Sequence, residues 1–308
     1  MGIERNATAP RLSNPKTTRE VIARYDFDFR KRFGQNFLID DSIIRRSLEA
    51  AQVSKQDVIF EIGPGIGTLT QYLSEAAHQV VSIEIDKKLI PILEETLQGY
   101  DNVSIINEDV LKVDLTALAA KYQAGRTVQT AFTLKIVANL PYYITTPILM
   151  NLFRKNVPAQ SITVMVQKEV ADRMCAKPGS KDYGSLSVAV QYYSAPRIVE
   201  LVPPSSFMPQ PKVTSAIVTM NLYEEPPVKA QDEVLFDAIV RAAFEQRRKT
   251  LVNALSSGAA VPFGKEQVTQ VLSLLGLSPS IRGEKLSISD FVQLSDRLSE
   301  MKHTQSLL

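Results

Sequence analysis

The sequence predicts an α/β protein: a mostly parallel sheet with helices on both faces, followed by a small all-α domain. Three observations predict it. Through residue 222, continuous apolar runs rich in Val and Ile alternate with helix-like segments, as strands buried on both faces of a parallel sheet do. Glu224-Glu225-Pro226-Pro227 then breaks the pattern, because proline interrupts helix and central strand alike. Beyond it the apolar spacing is helical only. The chain has 308 residues, room for about two domains at roughly 100–200 residues each.

Taken in order, residues 1–24 are polar, carry Pro10 and Pro15, and lack the apolar core of a signal peptide. They read as a flexible extension. Residues 58–62 (VIFEI) make the first strand, followed by a glycine turn and a helix over 68–77. Residues 80–85 make the second, followed by a helix over 87–97. The third and fourth are 103–107 and 134–138, with a helix at 147–153 and another strand at 162–167. Residues 216–222 alternate in the manner of an added edge strand. After Asp232, the residues Phe236, Ile239, Val240, Ala243 and Phe244 follow the spacing of an amphipathic helix, and Val268, Val271, Leu272 and Leu275 repeat it. The expected division is therefore an extension at 1–24, a ligand-binding domain at 25–224 and a helical domain at 225–308.

Composition excludes several chemistries. One cysteine, Cys175, cannot form an internal disulfide, and the chain suits a reducing compartment. Two histidines, His78 and His303, cannot build a histidine-rich metal site, and neither sits in a setting that suggests catalysis. The expectation is no metal. No apolar run reaches the roughly 20 residues of a membrane span, so no membrane partner is expected and the cytoplasm is the default. The net charge of +2 says little about nucleic acid, so any basic surface must be local. The best clusters are Arg30-Lys31-Arg32 and Arg247-Arg248-Lys249. Cations there would hold phosphates with little sequence reading.

The first strand runs into Glu61-Ile62-Gly63-Pro64-Gly65-Ile66-Gly67. Glycines permit a sharp strand-to-helix turn and close approach of a ligand to backbone, which singles out Gly63 and Gly65. Thr68 occupies the position where a G-x-G-x-x-G dinucleotide pattern needs glycine, which tilts against NAD without excluding it. Glu84, ending the second strand, is placed to accept both hydroxyls of a free ribose. Asp109, after the third strand, is placed to accept from an adenine amino group, although an acid there also caps turns. The fourth strand ends in Asn139-Leu140-Pro141-Tyr142. The Asn side-chain oxygen and a neighbouring backbone carbonyl can accept both hydrogens of one exocyclic amine, while Tyr142 offers a face for its base. Methylating adenine N6 requires this, because that nitrogen's lone pair is delocalised into the ring. Two acceptors favour a pyramidal nitrogen with its lone pair aimed at the methyl group.

With these motifs the sequence resembles the rRNA adenine N6,N6-dimethyltransferases. Further segments carry the resemblance: Lys31-Arg32-Phe33-Gly34-Gln35-Asn36-Phe37-Leu38, the run Phe207 to Ala216, and Ala242 to Leu251, the last resembling the bacterial small-subunit branch. It covers roughly residues 25 to 295. It implies a class I S-adenosylmethionine-dependent methyltransferase with a Rossmann-like sheet. S-adenosylmethionine would meet Asn36, Leu38, Gly63, Gly65, Glu84, Asp109 and Asn139. Asn139, Leu140 and Tyr142 would hold the target amine, with Phe207 as a second stacking face for the extruded adenine. The implied substrate is two adjacent adenosines in a hairpin loop near the 3′ end of 16S rRNA, in the assembling small subunit. The protein would act as a monomer, and not on DNA. Competing readings are an NAD-linked oxidoreductase, a DNA adenine methyltransferase, a large-subunit rRNA methyltransferase of the resistance type, and an assembly factor that only grips RNA.

Overall fold

The structure, a computed structural model, describes residues 10–25, 35–124, 132–257 and 261–306. In chain order the elements are α1 (Pro15–Arg24), β1 (Phe37–Leu38), α2 (Asp41–Ala51), β2 (Asp57–Ile62), α3 (Thr68–Ala76), β3 (Gln79–Glu84), α4 (Ile90–Thr96), β4 (Val103–Asn107) and α5 (Leu115–Gln123). Then come β5 (Thr133–Asn139), α6 (Thr145–Arg154), β6 (Ser161–Gln167), α7 (Lys168–Met174), α8 (Ser185–Tyr193), β7 (Ser194–Val202), β8 (Phe207–Met208) and β9 (Ser215–Leu222). The helices α9 (Glu233–Glu245), α10 (Leu251–Ser256), α11 (Lys265–Leu274) and α12 (Ile288–Ser306) complete the described chain. Among the described residues no helix is long and apolar enough to cross a membrane.

The chain forms two compact units. The first holds residues up to 171 together with 196–222. Its seven-stranded sheet has the order β4-β3-β2-β5-β6-β9-β7. The pairs β3–β4, β2–β3, β2–β5 and β5–β6 are parallel, and β6–β9 is antiparallel. Every residue of β2 is buried, as is all but the last of β6, which is why these strands read as unbroken apolar runs. The sequence expectation for 216–222 is corrected. β9 lies between β6 and β7 and is buried on both faces for six residues. The edge strand on that side is β7, whose Pro196 and alternating exposure are tolerated where one side of the strand has no partner.

Residues 10–25 are not a flexible extension. Leu12 is fully buried in one apolar cluster with Val21, Phe37, Ile66, Leu89 and Leu93. Arg11 pairs with the buried Glu75 at 2.8 Å and stacks over Tyr72. Asn14 caps α1 by accepting from the Lys16 N–H, and Pro15 starts the helix. Overall polarity hid these few anchors.

The second unit is helical and discontinuous: residues 172–195 and 223 onward. Assigning 172–195 to the first domain, as the sequence suggested, separates side chains that share a core. Tyr183, Val188 and Tyr192 pack with Phe236, Ile239, Leu255 and Phe291. The Tyr192 and Phe236 rings are 4.6 Å apart. The apolar faces of α9 and α11 are buried where the helical spacing predicts, at Phe236, Ile239, Val240, Ala243, Val268, Val271 and Leu272.

Candidate active site

Parallel pairing brings the carboxyl ends of four strands level. The register sets Ile62 beside Ile83 and Glu84 beside Asn107. It also sets Glu61 beside Val137 and Asn139 beside Met165. β3 and β5 flank β2, so the sheet order reverses there, and a crevice opens at such a switch point. A cleft lies over it, lined by Gly63, Gly65, Glu84, Asp109, Asn139 and Tyr142, among others.

The turn after β2 is built on backbone that disfavours side chains. Gly63, Gly65 and Gly67 have φ of 69°, 63° and 92°. At Gly65 a Cβ would also lie 3.0 Å from the Phe37 ring, so substitution there would both strain the chain and push on the cleft wall. Under the turn, Glu61 is buried and accepts from Thr70 Oγ1 at 2.7 Å and Ser82 Oγ at 2.8 Å. Burial pushes its carboxyl up to about 7.

Glu84 closes the adjoining strand. It is 5% exposed and accepts from the backbone N–H groups of Asp86 at 2.8 Å and Gly65 at 3.3 Å. Burial outweighs those bonds and raises its carboxyl to about 7. Among the described residues no cation pairs with it. A ligand bringing hydroxyl donors would satisfy it. Beside it Ile85 is 44% exposed, an apolar wall in the cleft. Asp109 also lines the cleft, and its Oδ1 caps a turn by accepting from the Leu111 N–H at 3.0 Å. Together these groups fit an adenosine-bearing donor: acceptors for a ribose, an acid near an amino group, and apolar surface between them.

Asn139 ends β5 and half-emerges into the cleft. Its Nδ2 donates to the Asn36 carbonyl at 3.1 Å. A carbonyl only accepts, so the amide has one allowed orientation, with Oδ1 left as the acceptor. Leu140 is buried and its N–H donates to the Met165 carbonyl at 3.1 Å, leaving its own carbonyl as its means of acting. Tyr142 is half-buried, and its hydroxyl lies 2.6 Å from Ser215 Oγ. Burial raises its phenol above the ordinary range. The phenol is therefore neutral at physiological pH, suited to stacking and not to taking a proton.

Two assigned side chains do not line the cleft. Leu38 is 3% exposed and packs into the core beside Ile44, Leu48 and Phe207. Strand side chains alternate, so in β1 it is Phe37 that faces the cleft and Leu38 that faces away. Phe207 pairs with Leu38 in the two-stranded β1–β8 ribbon and is 1% exposed. The expectation of a second stacking face at Phe207 is corrected: its ring is buried in the core and does not line the cleft. Sequence reasoning missed Phe37, Ile85, Tyr143 and Ser215. Ser215, at the start of β9, was legible only as part of a motif, because its partner Tyr142 is 73 residues away.

In the helical unit, Arg248 and Lys249 are exposed, while Arg247 pairs with Glu284 at 2.9 Å and donates to the Ser180 carbonyl. Arg30, Lys31 and Arg32 lie outside the described residues. His78 stacks on Phe132 with ring centres 4.0 Å apart, away from the cleft.

Comparison with known proteins agrees with this geometry. Residues 26–300 match the ribosomal RNA adenine dimethylase family. The chain is 52% identical over 290 residues to the ribosomal RNA small subunit methyltransferase A of Lachnoclostridium phytofermentans, covering 94% of this chain and 98% of that protein. Its fold is similar to that of a dimethyladenosine transferase from Plasmodium falciparum, with a TM-score of 0.70 and 27% identity over 87% of this chain and 98% of the other. The 23S rRNA methyltransferase ErmE is also similar, with a TM-score of 0.61 and 26% identity over 86% of this chain and all of the other.

Proposed function

The chain belongs to the ribosomal RNA adenine dimethylase family, and from that premise we propose that it transfers methyl groups from S-adenosylmethionine to N6 of two adjacent adenosines. These lie in a hairpin loop near the 3′ end of 16S rRNA in the assembling small subunit, giving N6,N6-dimethyladenosines. It works as a monomer in the cytoplasm. The small-subunit assignment follows the 52% identical relative over nearly its whole length. The observation that carries the chemistry is the Asn139 amide, turned by the Asn36 carbonyl so that its oxygen is the acceptor.

When bound, S-adenosylmethionine supplies an electrophilic methyl group on a positively charged sulfur. Glu84 would hold its ribose, Asp109 its adenine amino group, and the glycine turn would let it approach the backbone closely. The rest of the work belongs to the acceptor side. Asn139 Oδ1 and the Leu140 carbonyl accept hydrogen bonds from the amine, from two N–H groups in the first transfer and from the one that remains in the second, and aim its lone pair; each transfer releases one proton to solvent. Tyr142 stacks on the base, which has left its own stack at a cost of about a few kcal/mol. No strong base is required, since attack itself acidifies the N–H. Arg248 and Lys249, with Arg30 to Arg32, hold phosphates, giving affinity that falls with salt.

The test is incubation with labelled S-adenosylmethionine and three acceptors: undermethylated bacterial small-subunit particles, large-subunit rRNA and duplex DNA. Dimethyladenosine in the small-subunit particle is expected. Label in large-subunit rRNA, or in DNA, overturns the assignment.

A further inference from the structure

Tyr142 and Tyr143 are neighbours in sequence and opposites in setting. Tyr142 is half-buried with its hydroxyl tied to Ser215, whereas Tyr143 is 54% exposed. Both line the cleft. We infer that Tyr143 is a second base-stacking position, taking the nucleotide next to the one whose amine Asn139 holds. This rests on the function proposed above, and names a further subsite of the same cleft.

Three observations carry it. First, among the large hydrophobic side chains described as exposed, two line the cleft: Ile85 at 44% and Tyr143 at 54%. They follow β3 and β5, which lie on either side of β2. Ile85 adjoins Glu84 and so serves the donor half, while Tyr143 adjoins Tyr142 and serves the acceptor half. An exposed aromatic ring that lines a cleft can be covered by a base bound there. Second, Tyr143 stands on fixed backbone. The Ile144 N–H and Thr145 Oγ1 both donate to the Pro141 carbonyl, at 3.2 Å each, and Ile148 and Leu149 of α6 are buried. A ring on a rigid turn loses little freedom when a base lands on it. Third, the reaction creates the need. A base drawn into the cleft leaves its neighbour with one face bare. An aromatic ring can restore that stacking for any base. Because the two target adenosines are adjacent, the ring would take whichever of the pair is not in the cleft.

The experiment measures initial rates on undermethylated small-subunit particles reconstituted with transcribed 16S rRNA, varying acceptor and donor separately. The wild type is compared with Tyr143→Ala, Tyr143→Phe and Tyr143→Trp. One set of particles carries uracil, a weaker stacker, in place of the adenine next to the target. Tyr143→Ala is expected to raise the acceptor KM roughly tenfold, in the range of base–aromatic stacking, with donor affinity unchanged. The Phe and Trp variants are expected to stay within about twofold of the wild type, since the ring is kept. In the wild type the uracil particle should raise KM severalfold, and in Tyr143→Ala it should add nothing further. A merely structural role would not couple one side chain to one base. An acceptor KM within twofold of wild type in Tyr143→Ala, or penalties that simply multiply, overturns this inference and leaves the proposed function standing. Failure of the wild type to methylate the particle at all overturns both.

Discussion

The two ends of β2 and its neighbours carry buried ionisable groups in opposite circumstances. At the amino ends, Asp57 accepts from Lys135 Nζ at 3.0 Å, from the Ser54 N–H at 2.6 Å and from Ser54 Oγ at 3.0 Å. Lys135 also donates to the Gln52 carbonyl at 2.7 Å. Both side chains are almost wholly buried, and each has its opposite charge. At the carboxyl ends, Glu61 and Glu84 are as deeply buried but have only hydroxyl and backbone N–H donors, and both carboxyls are pushed up to about 7. A buried charge that is paired holds a structure together. A buried carboxyl that has no cation and lines a cleft, as Glu84 does and Glu61 does not, is a candidate for a ligand's donors. Burial alone would not have told the two apart.

Four substitutions or conditions sharpen that contrast. Asn139→Ala should lower single-turnover methyl transfer by about 100- to 1,000-fold, the cost of removing one acceptor aimed at the reacting group. Melting temperature should scarcely change, and full activity would break the assignment. Lys135→Met, at the other end of the sheet, should do the reverse. Leaving Asp57 charged and unpaired should cost about 3–5 kcal/mol in denaturant unfolding. The protein that remains folded should turn over normally, and adding Asp57→Asn should recover much of the loss.

The third concerns pH. Glu84 has an ordinary value of 4.5 and a folded value of about 7. A carboxyl raised in this way favours the fold while protonated, and that contribution is lost as pH rises from 4.5 through about 7. Donor binding has the opposite sign, because ribose hydroxyls donate to the ionised carboxylate. Donor affinity, measured by calorimetry, should therefore rise about tenfold between about pH 6 and pH 8. In Glu84→Gln the Glu84 share of that rise should vanish, and an unchanged profile would remove Glu84 from the site. The smallest effect is expected from Ser215→Ala. Loss of one hydrogen bond to the Tyr142 hydroxyl should reduce kcat about three- to tenfold, with donor KM unchanged. Tyr142→Phe should reproduce it, and the two changes together should cost no more than either.

Much of this was legible in the sequence. The apolar runs at 58–62 and 162–167 coincide with β2 and β6 to within one residue. Glu84, Asp109 and Asn139 line one cleft because each ends or follows a parallel strand, and parallel strands end level. What the sequence concealed was contact across distance. Leu12 looked like one apolar residue in a polar tail, and its value lies in Ile66 and Leu93. Phe207 sits among Pro203, Pro204, Pro209 and Pro211, residues that mark a loop, yet its ring is in the core. β7 was missed because an edge strand need not be apolar on both faces.

The helical unit has a history inscribed in its connectivity. Residues 172–195 belong to it, residues 196–222 return to the sheet, and only then does the rest of the unit follow. A truncation at 224, the natural place to cut by sequence, would therefore leave Tyr183, Val188 and Tyr192 stranded without Phe236 or Phe291. The complementary fragment would begin life with a hole where those side chains belong. Neither half can be grafted elsewhere as a cassette. Exchanging the helical unit between relatives calls for two simultaneous exchanges, with the segment at 172–195 travelling alongside everything after 223.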